Sequence, residues 1–144
     1  MKKCIAAIAL VISLASCEKS TQKKEEQDSQ AIQSVLETWQ YAIRERSYKL
    51  YAQTKLNPAD RETFMTEYSS AYFNNIIIMS QTPAEKKIID GGEYFVKEVT
   101  VGAEVISRSD PSQKGMVNGE ISVVRPAHED SSWKIHNTTL VWNM

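Results

Sequence analysis

Tyr41, Tyr68, Tyr72, His128 and His136 are the side chains here that could polarise a carbonyl or move a proton. General acid–base chemistry needs such a group in a mostly apolar pocket that adjusts its pKa, within reach of substrate. No carboxylate falls on the apolar phase of a helical segment. The strand acids Glu98, Glu104 and Glu120 lie on the phase opposite the valines. His128 belongs to a turn-forming stretch, and His136 shares its phase with Lys134, so both read as solvent-facing. Ser131-Ser132-Trp133-Lys134 matches a bare Ser-x-x-Lys pattern, but that mechanism places the serine at a helix start, and this serine opens a strand. Asn137-Thr138-Thr139 fits a glycosylation acceptor pattern, but within a strand it has little meaning. There is no phosphate-cradling glycine loop, and two histidines with so little cysteine make a standard zinc site improbable. The expectation is no catalytic residue, no metal and no cofactor. Trp39, Phe64, Tyr68 and Tyr72 remain as aromatics that either line a small-molecule pocket or form the helix–sheet core.

The N-terminus carries a different chemistry. Met1-Lys2-Lys3 is a short positive region, and Ile5 to Leu14 form an apolar run shorter than the about 20 residues that span a bilayer. Small residues follow, as at a secretory cleavage site. Leu14-Ala15-Ser16-Cys17 resembles the bacterial lipobox, Leu-(Ala/Ser)-(Gly/Ala/Ser)-Cys. That resemblance implies cleavage before Cys17, diacylation of its sulfur and acylation of the new amine. Three chains would anchor the protein effectively irreversibly. Residues 1–16 are thus expected to be a lipoprotein signal peptide. The expected location is the bacterial cell envelope, most simply the outer membrane, facing the periplasm or the surface. Cys4 would leave with the signal, so no internal disulfide could form and the domain would rely on its core.

The chain has 144 residues and a formal charge of −1. Removal of Lys2 and Lys3 takes that to about −3, with the remaining cations scattered. Nucleic-acid binding would show a basic stripe, and none is visible. Glu18 to Gln30 has no aliphatic or aromatic residue, so residues 17–30 read as a lipidated polar tether, or alternatively as an extension of the helix that follows.

Residues 31–144 then form one domain. Ile32, Leu36, Trp39, Ile43 and Leu50 recur at helical spacing, with Val35 and Ala42 on the same face, predicting a helix over 29–54. Asn57-Pro58-Ala59-Asp60 gives a start signal, and Phe64, Tyr68, Ala71 and Tyr72 follow, predicting a second helix over 58–74. Ile76-Ile77-Ile78-Met79 suits either its buried end or a strand. Thr82-Pro83-Ala84-Glu85 predicts a short third helix over 83–87, before a turn at Asp90-Gly91-Gly92. Beyond it Val99, Val101, Ala103 and Val105 alternate with polar residues, as do Val117, Gly119, Ile121 and Val123. A last strand opens at Trp133 and Ile135 and ends near Trp142. Asp110-Pro111-Ser112 and His128 to Ser131 are the hairpin turns. Gly102 and Gly119 inside strands suggest a bulge or bend.

Two or three helices before a bent antiparallel sheet resemble the nuclear transport factor 2-like, or cystatin-like, superfamily. "VLETWQYAIRERSYKLYAQ" resembles its first helix, with a charged kink between apolar patches. "GEISVVRPAHEDSSWKIHNTTLVW" resembles its last hairpin. The resemblance implies an α+β cone whose open end is a pocket, and often a homodimer formed through the sheet. The expected function is a non-catalytic module that binds a small apolar ligand in the cone or a protein partner on the sheet. Met116 and Val124 lie on the outward phase that such a partner would meet. A lyase- or isomerase-type enzyme of the same fold, and a purely structural envelope protein, are the alternatives.

Overall fold

The computed structural model describes the backbone of residues 2–140 and the side chains of residues 22–140. The Cys17 side chain and Trp142 therefore lie outside the described residues. Contacts divide the chain into two units, residues 1–31 and residues 32–144. Helix α1 (Lys2–Glu45) includes Glu18 to Gln30, which thus takes the helical of its two readings. That stretch has neither glycine nor proline and is rich in Lys, Glu and Gln, which favour helix.

Within the second unit, Ile32, Leu36, Trp39, Ala42 and Ile43 form one fully buried face of α1. The predicted helix over 29–54 is broken in two. Arg46 adopts φ 56°, its N–H donates to the Ile43 carbonyl, and Ser47 N–H donates back to the Ala42 carbonyl at 2.8 Å. This is a Schellman ending with arginine where glycine is usual. Ser47 then caps α2 (Tyr48–Thr54), its Oγ accepting from Leu50 N–H. The second helix is also shorter than predicted. Asp60, not Asn57, is its cap, with Oδ1 accepting from Thr63 N–H at 2.8 Å, and α3 covers Arg61–Glu67.

Tyr72 is therefore not helical. Ala71 to Gln81 form strand β1 (Ala71–Gln81), because its aromatic and β-branched run gains a ladder on a neighbouring strand. The third helix is likewise replaced, by strand β2 (Glu85–Ile89). Asp90 and Gly91 both take positive φ, 49° and 82°, which makes a two-residue hairpin and draws 85–89 into pairing. Thr82, expected as a helix cap, instead accepts from Glu98 N–H through its hydroxyl.

The hairpin leads into β3 (Gly92–Ser107), β4 (Lys114–Pro126) and β5 (Lys134–Thr138). The sheet is antiparallel and open, in the order β1-β3-β4-β5, with β2 pairing the other half of the same β3 edge. Three helices pack against it, and the fold class is α+β. Val99, Val101, Ala103, Val105, Ile121, Val123 and Ile135 are buried on its inner face with the apolar side of α1. Register shifts fall in β1, between Asn74 and Ile77, the latter pairing with Gly102, and between Ile78 and Ser80, and again where β5 meets Ser122 and Val123 of β4. Backbone groups freed at the first of these are taken by α1: Gln33 Nε2 donates to the Ile76 carbonyl, and Ile76 N–H donates to Gln40 Oε1 at 2.8 Å.

The two strand glycines make room on opposite faces. A Cβ on Gly119 would lie 2.7 Å from Leu140 Cδ2 and 3.2 Å from its Cα, and Leu140 is buried in the core. A Cβ on Gly102 would meet only the ends of Asn118 and Met79, at 3.2 and 3.3 Å. Gly119→Ala should cost about 1–3 kcal/mol by overpacking, whereas Gly102→Ala should fall within about 0.5 kcal/mol of the parent. Urea denaturation of the two variants checks the contrast.

Candidate functional site

The four candidate pocket aromatics are carried by α1, by α3 with its C-cap, and by β1. Trp39 lies on α1 with its ring 5.4 Å from Phe73 of β1, and is fully buried. Phe64 and Tyr68, one turn apart, do come together: Phe64 stacks on Tyr51 at 4.4 Å and lies 5.5 Å from Tyr68. Tyr48 joins the group 5.9 Å from Phe64, and its hydroxyl donates to the Ala59 carbonyl. Burial pushes the Tyr68 hydroxyl well above the ordinary phenol range, and that of Tyr51 upward as well, so both stay neutral. Tyr72 is half-buried on β1, beneath the Arg108 guanidinium at 5.2 Å from its ring centre. Trp39, Phe64 and Tyr68 thus belong to the buried core.

Arg108 has no counterpart in the sequence reading. Its Nε donates to the Tyr68 carbonyl at 2.9 Å, and its two Nη groups donate to the carbonyls of Arg44 and Ile43. A guanidinium at the C-terminal end of α1 meets the negative end of the helix dipole and ties that end to α3. Nothing in the spacing of residues marks an arginine 64 positions away as the cap of Arg44.

Several of the polar groups that could carry acid–base chemistry engage neighbouring side chains. Glu98 accepts from the Ser122 hydroxyl at 2.6 Å, and Glu104 lies 3.5 Å from Lys114. His136 sits at the register shift between β4 and β5, half-buried, with Nδ1 unbonded. His128 is exposed, with Nε2 2.7 Å from Glu93 Oε2. That bond holds the Glu93 carboxyl below its ordinary pKa. Folded Glu93 therefore binds its proton less readily than the unfolded chain does. The associated stability is complete at neutral pH and is lost as pH falls through and below the ordinary carboxylate range. Glu93→Gln should flatten the acid side of a Tm-against-pH profile relative to the parent. Among the described residues, no three His, Cys, Asp or Glu side chains converge as metal ligands.

Two surfaces stand out among the described residues. A groove of about 470 Å³ runs between α1 and the β1 bulge, lined by Gln33, Glu37, Gln40, Tyr41, Arg44 and Asn75 to Ile77. On the outer face of the sheet, Ile77, Met79 and Met116 are each more than half exposed, and Ile77 and Met79 flank Gly102. Of the two outward apolar residues picked out by phase, Met116 is on this surface, but Val124 is buried. The same phase reasoning could have found Lys97. It falls on the Val99–Val105 phase and is buried.

An open five-stranded α+β sheet with a packed inner face and a partly apolar outer face defines the class of this domain. The sequence matches no protein-family model, and no curated protein is significantly similar to it.

Proposed function

We propose that this chain is a lipid-anchored lipoprotein of the bacterial envelope whose domain binds a protein partner, without catalysis, on the outer face of its sheet. Lys2-Lys3, the apolar run and Leu14-Ala15-Ser16-Cys17 support the anchor. Among the described residues no helix is long and apolar enough to cross a membrane. The order of three helices followed by an antiparallel sheet supports a nuclear transport factor 2-like assignment.

The observation that carries the binding reading is the cluster of Ile77 and Met79 about Gly102, with Met116 on the same face. Single exposed apolar side chains are ordinary, but neighbouring ones on a sheet face mark interaction surfaces. Methionine's flexible thioether also adapts to a partner's contour. A second copy of the chain is one such partner, meeting this face isologously.

A photo-crosslinking residue placed at Met116 tests this in intact membranes. It should give a discrete adduct that is lost when Ile77→Lys is added, while the same probe at exposed Glu129 gives none. No adduct at Met116, or an adduct indifferent to Ile77→Lys, would overturn the assignment.

A further inference from the structure

Lys97 is the most deeply buried charge among the described residues, at 5% exposure. Its ammonium has three donors, and its one bond is to Gln81 Oε1 at 3.1 Å. It makes no ion pair with any described residue. Arg125, on the neighbouring strand, is in the same condition: its Nε–H is buried and unbonded. The pairing register puts the two on one face. Phe95 lies opposite Arg125, and Lys97 lies opposite Val123, so Lys97 and Arg125 are diagonal neighbours. Such neighbours are about 7–8 Å apart, within reach of long side chains. A third cation enters the row from the other side, because Lys86 pairs with Phe95 on β2. Lys86 Nζ lies 5.7 Å from the Phe95 ring centre, and Arg125 Cζ lies 5.3 Å from Phe95 and 5.4 Å from Trp133.

Two cations therefore flank the Phe95 ring, exposed Lys86 and half-buried Arg125, and buried Lys97 lies diagonally across the register from Arg125. Glu93, the acid of β3 on the Phe95 phase, is engaged by His128 and lies 3.8 Å from Lys86. An uncompensated buried charge is costly, and here two cationic groups with free donors adjoin. We propose that Lys97, Arg125 and Lys86 form an anion site on the inner face of β2-β3-β4 that takes one oxyanion group, a carboxylate or a phosphate, of a small ligand. Arginine and lysine together supply the charge-assisted donors such a group accepts. Phe95 and Trp133 hold the guanidinium in place by cation–π contact. The site is separate from the outer-face partner surface and does not depend on it.

The test uses the full chain in nonionic detergent, titrated with sodium phosphate and separately with sodium acetate, each against sodium chloride at equal ionic strength. The site predicts a saturable shift of the Arg125 Nε–H resonance and a rise in Tm with at least one oxyanion. Phosphate alone or acetate as well would define the ligand class. Lys97→Met should be at least as thermostable as the parent in chloride, since it removes an unpaired buried charge, and should weaken the oxyanion response about tenfold or more. If Lys97→Met does not fold, Arg125→Gln is read by the same Tm titration. No response beyond chloride, or an unchanged response in the folded variant, would overturn the site.

Discussion

Trp39→Ala should destabilise the domain by about 3–5 kcal/mol, the largest effect expected of any single side-chain truncation here. The indole is fully buried against Phe73, in the row of α1 residues that meets the sheet. Removing it loses the transfer free energy of a large ring and leaves a cavity that rigid neighbours cannot close. The magnitude also decides a functional question. Were Trp39 the wall of an open ligand pocket, much of its surface would already face solvent, and truncation would cost far less. Tyr41→Ala is the control: that ring is about half exposed on the same helix, and the change should stay within about 0.5 kcal/mol. Urea denaturation of both variants makes the comparison.

Arg108→Met should cost about 2–4 kcal/mol, because hydrogen bonds to a charged donor are worth about 1.5–3 kcal/mol and three carbonyls lose theirs together. The lower end allows for solvent reaching the half-exposed guanidinium and the Arg44 carbonyl. Methionine keeps much of the aliphatic stem, so the loss reports the fork and its contact with Tyr72. Arg108→Lys should recover only a minor part, since a point charge cannot reach three carbonyls in a fixed plane. Amide exchange at Arg46 and Ser47, whose N–H groups close the end of α1, should accelerate in both variants.

Strands β3 and β4 were legible because their signal is local. Period-two alternation over Val99–Val105 and Val117–Val123 names both the strands and their inner face, and the Asp90-Gly91 pair names a turn. The helices were legible only where the apolar stripe is long, from Ile32 to Ile43. The sequence does not mark Arg46 as a chain reversal, because arginine has no preference for the left-handed conformation that it adopts there. Tyr72 kept helical spacing with Phe64 and Tyr68, yet the ladder offered by β3 outweighed that local pattern. Thr82-Pro83-Ala84-Glu85 differs for the same reason: it carries a helix-start signal, but 85–89 pairs across a two-residue turn.

Site residues were less legible than the fold. Trp39, Phe64 and Tyr68 were readable as core or pocket alike, since both demand aromatics on an apolar face. Lys97 was readable in principle, by counting two residues back from Val99. The convergence of Lys86, Phe95 and Arg125 depends on the register of three strands, which no local spacing reveals.

The most direct test of the anchored-module account is the intact mass of the full chain expressed in a Gram-negative bacterium and purified from its membranes. The account predicts a protein beginning at Cys17 and heavier than residues 17–144 by three acyl chains, with Cys17→Ser abolishing both the added mass and the membrane association. A chain that retains residues 1–16, or one cut there with an unmodified Cys17 thiol, would contradict it.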